Sequence, residues 1–150
     1  MECCDESKVD IKPYDGENDV FWKKLKIKMN VNTMRRLKIV TYGTVYISEK
    51  PKICQAVYNA SILRGGQDKR SLTFKMLVKS RGTDLRIQQD VRNAVLFEKF
   101  ISDVIYDFET KNLDTVAIIC RAGHHRSVAC AEMLKYLYTN ITVEHITIAK

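Results

Sequence analysis

Between Arg86 and about Glu109, apolar residues recur at three- and four-residue steps: Val91, Ala94, Val95, Phe97, Ile101, Val104, Ile105 and Phe108. This period predicts one amphipathic helix with those side chains facing inward. KNLD (111–114) reads as a short turn, and TVAIIC (115–120) as a continuous apolar strand buried on both faces. RAGHH then turns into RSVACAEMLKYLYTN, a second helix with Val128, Ala131, Leu134 and Leu137 inward. ITVEHITI (141–148) closes the chain as a strand.

The first half is patterned less strongly. LKIVTYGTVYI (37–47) reads as a buried strand running into a bend at Gly43, and ICQAVYNASIL (53–63) as a strand by its β-branched and aromatic content. FWKKLKIKMNVNTMRRLK (21–38) alternates from Leu25 to Val31, which suggests a strand with one basic face and leaves a short helix open. RGGQDKR (64–70) reads as a loop, and 71–84 has little pattern. Residues 1–20 read as a flexible arm broken by Pro13 and Gly16, ahead of a single domain at 21–150. The order helix–strand–loop–helix–strand predicts an α/β fold: a small, mostly parallel sheet flanked by helices, with a right-handed crossover.

Charge sharpens this division. The chain's formal net charge is +7. Residues 1–20 hold seven carboxylates against two lysines, a balance of −5, so the remaining 130 residues carry +12. A basic body of this kind favours phosphorylated ligands or polyanions. Arg64, Lys69, Arg70, Lys75, Lys79, Arg81 and Arg86 crowd into 64–86. Lys23, Lys24, Arg35 and Arg36, with Arg64, Lys69 and Arg70, are the candidate RNA-contacting cations, and Phe21, Trp22 and Tyr42 the candidate base-stacking rings. No apolar run approaches the roughly 18 residues of a membrane span, and the polar start lacks a signal peptide's apolar core. The five cysteines are odd in number and form no CxxC pair. Neither a disulfide framework nor a metal site is expected, and the expected setting is cytoplasmic and reducing. No cofactor is implied, and the oligomeric state stays open, a homo-oligomer included.

The chemistry concentrates in CRAGHHRS, Cys120 to Ser127. It joins the carboxyl end of the apolar strand to a helix start, where unpaired amides and the helix dipole attract anions. Gly123 permits the backbone to curl, Arg126 supplies a bidentate fork, and Ser127 caps the helix or donates to the same anion. The expected ligand is phosphate, sulfate or a phosphorylated small molecule. His124 and His125 lie beside arginine, which disfavours their protonation and leaves neutral rings for ligand contacts. His145, on the last strand, reads as structural or as a pocket wall.

C-x-x-G-x-x-R-S is also the spacing of cysteine phosphatases, in which a thiolate attacks phosphorus and an upstream aspartate protonates the leaving oxygen. Asp84 and Asp90 lie 36 and 30 residues before Cys120. In that reading Cys120, Arg126 and either Asp90 or Asp84 are catalytic. Ile119, however, stands where those phosphatases normally place a histidine. A cysteine ending a buried strand is also commonly only a small hydrophobe, and Cys120 reads that way too.

GHHRSVACAEML resembles the G-G-x-H-R-S-V-x-x-A-E-x-L stretch in the C-terminal domain of the RapZ family of RNase adaptor proteins. VTYGTVY, RGTD and VEHITIAK are similar to further segments of that domain, so the resemblance spans roughly 36–150 and is densest from Gly82 onward. It implies a non-enzymatic module that senses an amino-sugar phosphate and presents small regulatory RNA to a ribonuclease. That family's own loop also begins with a cysteine. By position, Cys120, Gly123, His125, Arg126 and Ser127 match its ligand loop. Arg121-Ala122 replaces T-G, Tyr58-Asn59-Ala60-Ser61 replaces a D-x-R segment, and His145-Ile146-Thr147 replaces H-R-D. No GxxxxGK[S/T] occurs, so the family's nucleotide-binding half is expected to be absent.

Overall fold

A computed structural model describes residues 12–64 and 79–150. Four strands form its sheet: β1 (Leu37–Gly43), β2 (Ala56–Asn59), β3 (Thr115–Cys120) and β4 (Ile141–His145). Their order is β2-β3-β1-β4, and every pairing is parallel. Among the described residues four α-helices accompany them: α1 (Val20–Lys28), α2 (Leu85–Arg92), α3 (Phe97–Thr110) and α4 (Arg126–Met133). The α/β architecture is the one the hydrophobic pattern predicts.

The central strands are mostly apolar because both of their faces are covered, with Lys38 of β1 the exposed exception. Ile39, Val116 and Ile118 join the main core with Phe97, Ile101, Val104, Ile105 and Phe108 of α3. The intervening Val40, Tyr42 and Ala117 face a smaller cluster with Cys54. The parallel register sets Gly43 beside Cys120, so β1 and β3 end together. The loop that follows β3 therefore emerges directly against the end of β1.

Several boundaries depart from the sequence pattern. Residues 20–28 form helix α1, not a strand: the Asp19 carboxylate accepts from the Phe21 amide at 3.1 Å and caps it. Phe21, Trp22 and Leu25 turn inward, whereas Ile27 is 82% exposed. The alternation from Leu25 to Val31 was therefore a coincidence of Ile27 standing on the wet face. The long helix is two helices, broken at 93–96. Val95, expected inward, is 96% exposed at that break. The strand expected over 53–63 is ordered as β2 only at 56–59 and passes into a 3₁₀ turn, Ala60–Ile62. The second helix tightens into a 3₁₀ turn at Leu134–Tyr136, and β4 ends at His145.

Of the acidic arm, residues 1–11 lie outside the described residues. From Tyr14 the chain is packed: its ring is buried, its amide donates to Leu85 O at 2.9 Å, and its hydroxyl donates to Asp19 at 2.7 Å. The Trp22 indole N–H donates to the Tyr14 oxygen at 2.6 Å. The loop and weakly patterned segment from 65 to 78, with Lys69, Arg70 and Lys75, also lie outside the described residues.

Candidate functional site

The β3–α4 loop closes around a pocket of about 130 Å³ lined by Cys120, Arg121, Ala122, His124, His125 and Arg126. Its curvature depends on two glycines. Gly123 has φ of +71°, and a β-carbon there would lie 2.4 Å from the Gly43 nitrogen. A β-carbon on Gly43 would in turn strike the Ala122 carbonyl carbon at 2.2 Å. Thr147 fastens the same junction: its hydroxyl accepts from the Gly43 amide at 2.9 Å and donates to Ala122 O at 3.2 Å.

This curl leaves donors over. Among the described residues, the backbone amides of Arg121, Ala122, Gly123, His124, Arg126 and Ser127 donate to no backbone or side-chain acceptor. The amides of a helix's first turn are ordinarily free, but those of the preceding loop residues add to them. Consecutive free amides on a curled backbone at a helix start form an anion-binding concavity.

The side chains divide between the pocket and its walls. Arg126 lines the pocket, while its Nη1 donates to Ser61 O at 2.6 Å. Its other donors have no hydrogen-bond partner among the described residues. Cys120 sits at the base, 5% exposed, with its sulfur 3.1 Å from Ser127 Oγ. Ser127 itself is fully buried, so its hydroxyl faces the sulfur and not the pocket. His125 Nε2 meets Ser80 O at 2.6 Å, and the Gly82 amide donates to His124 O at 2.7 Å. Burial, then the nearby Arg81 cation, holds His124 below the ordinary imidazole range, against a hydrogen bond with the Thr147 backbone that works the other way. It is a neutral ring at pH 7. Tyr46 leans over it, ring centroids 6.4 Å apart.

The two aspartates part company. Asp84 caps α2, accepting from the Arg86 amide at 2.8 Å, and pairs with the Arg86 guanidinium at 2.8 Å. The side-chain bond to Arg86 leads in holding its carboxyl below the usual range. It is therefore an ionised structural group, unsuited to giving up a proton. Asp90 is the reverse: burial pushes its carboxyl up, only partly offset by Arg126, and its Oδ1 is buried without a partner. Neither carboxylate lines the pocket.

His145, read from sequence as structural or as a pocket wall and a candidate ligand residue, is not among the residues that line the pocket. Its Nε2 meets Glu132 at 2.9 Å and its Nδ1 meets Thr41 Oγ1 at 2.7 Å, tying α4 and β4 to β1. The proposed stacking rings are also spent on the core: Phe21, Trp22 and Tyr42 are 8%, 3% and 2% exposed. Arg35 makes a two-pronged pair with Glu109, at 3.0 and 2.9 Å. Lys23 and Lys24 on α1, Arg36 and Arg64 are exposed.

Sequence reasoning gave Ser61, Ser80, Gly82 and Thr147 no part in holding the loop, yet they do so by backbone or hydroxyl contacts. Gly82 was visible within RGTD, but its role follows from a space too small for a β-carbon, which would meet His125 O at 2.3 Å. Among the described residues no cluster of histidine, cysteine and acidic side chains suits a metal ion, and no helix is long and apolar enough to cross a membrane. No protein-family model and no curated protein matches the chain.

Proposed function

We propose that the chain is a binding module for a phosphorylated small molecule, held by its phosphate in the Cys120–Ser127 loop. The observation that carries this reading is the run of undonated amides around the pocket. A phosphate accepts several such bonds at once, and Arg126 adds charge-assisted ones. The likeness to RapZ C-terminal domains supports a sugar phosphate as the ligand. Exposed Lys23, Lys24, Arg36 and Arg64 support a second, RNA-facing role for the basic surface. Calorimetric titration with a hexosamine phosphate, the same sugar unphosphorylated, and inorganic phosphate tests the reading. Both phosphates bind and the bare sugar does not; heats from the sugar alone, or from none, reject it.

The contact between Cys120 and Ser127 favours a second reading, a small cysteine phosphatase. A hydroxyl donating to a sulfur stabilises its anion, the form that attacks. In that reaction the sulfur bonds to phosphorus, the ester P–O bond breaks, and the leaving oxygen takes a proton from solvent water, since neither Asp84 nor Asp90 lines the pocket. A second water then cleaves the S–P bond, giving inorganic phosphate and returning the Cys120 thiolate. Turnover of an aryl phosphate that Cys120→Ser abolishes supports this reading; no turnover leaves the binding module alone.

A further inference from the structure

Cys130 has no part in the pocket, yet its place beside it is specific. It lies fully buried on α4, three residues after Ser127, and residues so spaced share a helix face. Ser127 on that face touches the Cys120 sulfur. Cys130 thus lies one helical turn further along the face of α4 that carries Ser127. The two thiols also feel each other: burial raises the Cys130 thiol well above its ordinary range, and Cys120 adds to the rise. Cys120 lines the pocket, whereas Cys54 and Cys130 are 0% exposed. An oxidant entering the site meets Cys120 first.

We propose that Cys120 and Cys130 form a redox pair, in which hydrogen peroxide oxidises Cys120 and Cys130 resolves the product to a disulfide that closes the phosphate pocket. In the first step the Cys120 sulfur attacks a peroxide oxygen, the O–O bond breaks, and water leaves with the thiol proton. The product is a sulfenic acid, its sulfur oxidised by two electrons. In the second, the Cys130 sulfur attacks the Cys120 sulfur, the S–O bond breaks, and the hydroxide leaves as water with the Cys130 proton. Peroxide is the oxidant and two waters are the only by-products. Cys130 is hard to ionise, so the second step is the slower one.

A disulfide brings its β-carbons to about 4 Å. Cys120 is thereby drawn off Ser127 toward the second turn of α4, and the loop between them loses the curl that frees its amides. This closure rests on the phosphate-binding reading, whereas formation of the bond does not.

The experiment treats the full-length protein with hydrogen peroxide, blocks remaining thiols in denaturant, and maps peptides by mass spectrometry. Wild type is run beside Cys130→Ala, whose fold is checked by circular dichroism. Wild type yields a Cys120–Cys130 linked peptide, two hydrogens lighter and dissolved by dithiothreitol, while the variant holds a dimedone-trapped sulfenic acid at Cys120. An unreacted Cys120, an overoxidised Cys120 beside free Cys130, or a bond from Cys120 to Cys3 or Cys4 overturns the pair. Thermal shifts with inorganic phosphate on the same samples separate the two claims. Reduced protein without a shift sinks the phosphate reading and leaves the disulfide standing; a shift that survives in the disulfide form overturns closure alone.

Discussion

Gly43 and Gly123 face each other with no space for a side chain on either: a β-carbon at Gly123 would lie 2.4 Å from the Gly43 nitrogen. One ends β1 and the other bends the loop after β3, so the curl of that loop exists because two backbones touch. Gly123→Ala carries both a left-handed backbone strain and an overpacked junction, together about 2–4 kcal/mol. Thermal melting falls by roughly 5–15 °C at a few degrees per kcal/mol. The same variant loses its phosphate-induced stabilisation. Unchanged melting would mean that the loop does not need this approach.

Asp90→Asn is expected to stabilise the protein at neutral pH. Burial raises the folded carboxyl above its ordinary 3.8, so the unfolded chain releases its proton first and wild-type stability falls as pH rises through the folded value. Asparagine avoids that loss, so the variant melts higher at pH 7 and the gain vanishes below the ordinary value. Asp19 titrates in the opposite sense. Burial opposes its charge, but bonds from Arg92, Tyr14 and the Phe21 amide outweigh it and hold it low. Its contribution is full above the ordinary carboxylate value and is lost as pH falls through the folded one. Parallel melts of wild type, Asp90→Asn and Asp19→Asn from pH 3 to 8 read both signs.

His145→Ala separates structure from ligand binding. It removes the bridge between Glu132 and Thr41, leaving the Thr41 hydroxyl without its side-chain partner and Glu132 with Lys135 alone, at a cost of about 1–3 kcal/mol. Melting drops while phosphate affinity stays within about twofold. A large loss of affinity without a loss of stability would return His145 to the pocket.

The proposed RNA-facing role of the basic surface predicts that Lys23→Glu with Lys24→Glu weakens RNA binding and flattens its salt dependence. Arg35→Ala behaves otherwise: it breaks the pair with Glu109 and costs stability, with little effect on RNA. Electrophoretic binding across a salt series distinguishes the two. Equal binding by the double variant and wild type contradicts an RNA face on α1.

How much of this was legible beforehand depended on whether neighbours in sequence are neighbours in space. The β3–loop–α4 unit is contiguous, so apolar strand, glycine, arginine and helix start were read in place. The break at 93–96 was not, because Val95 continued the helical period while pointing outward. Arg35 looked like a free surface cation because its partner, Glu109, lies 74 residues away. Asp84 and Asp90 were equivalent by spacing alone; only the Arg86 pair and the burial of Asp90 tell them apart. Thr147 was visible only as a departure from the resembled H-R-D segment; that its hydroxyl, in the turn after β4, bridges Gly43 and Ala122 follows only from the fold.

The cradle itself is tested most directly by following backbone amide resonances while inorganic phosphate is titrated into reduced protein. The account predicts saturable shifts in the amides from Arg121 to Ser127, absent in Arg126→Ala, with the remaining sheet unmoved. Phosphate that leaves those amides untouched, or shifts them equally in the variant, would contradict it.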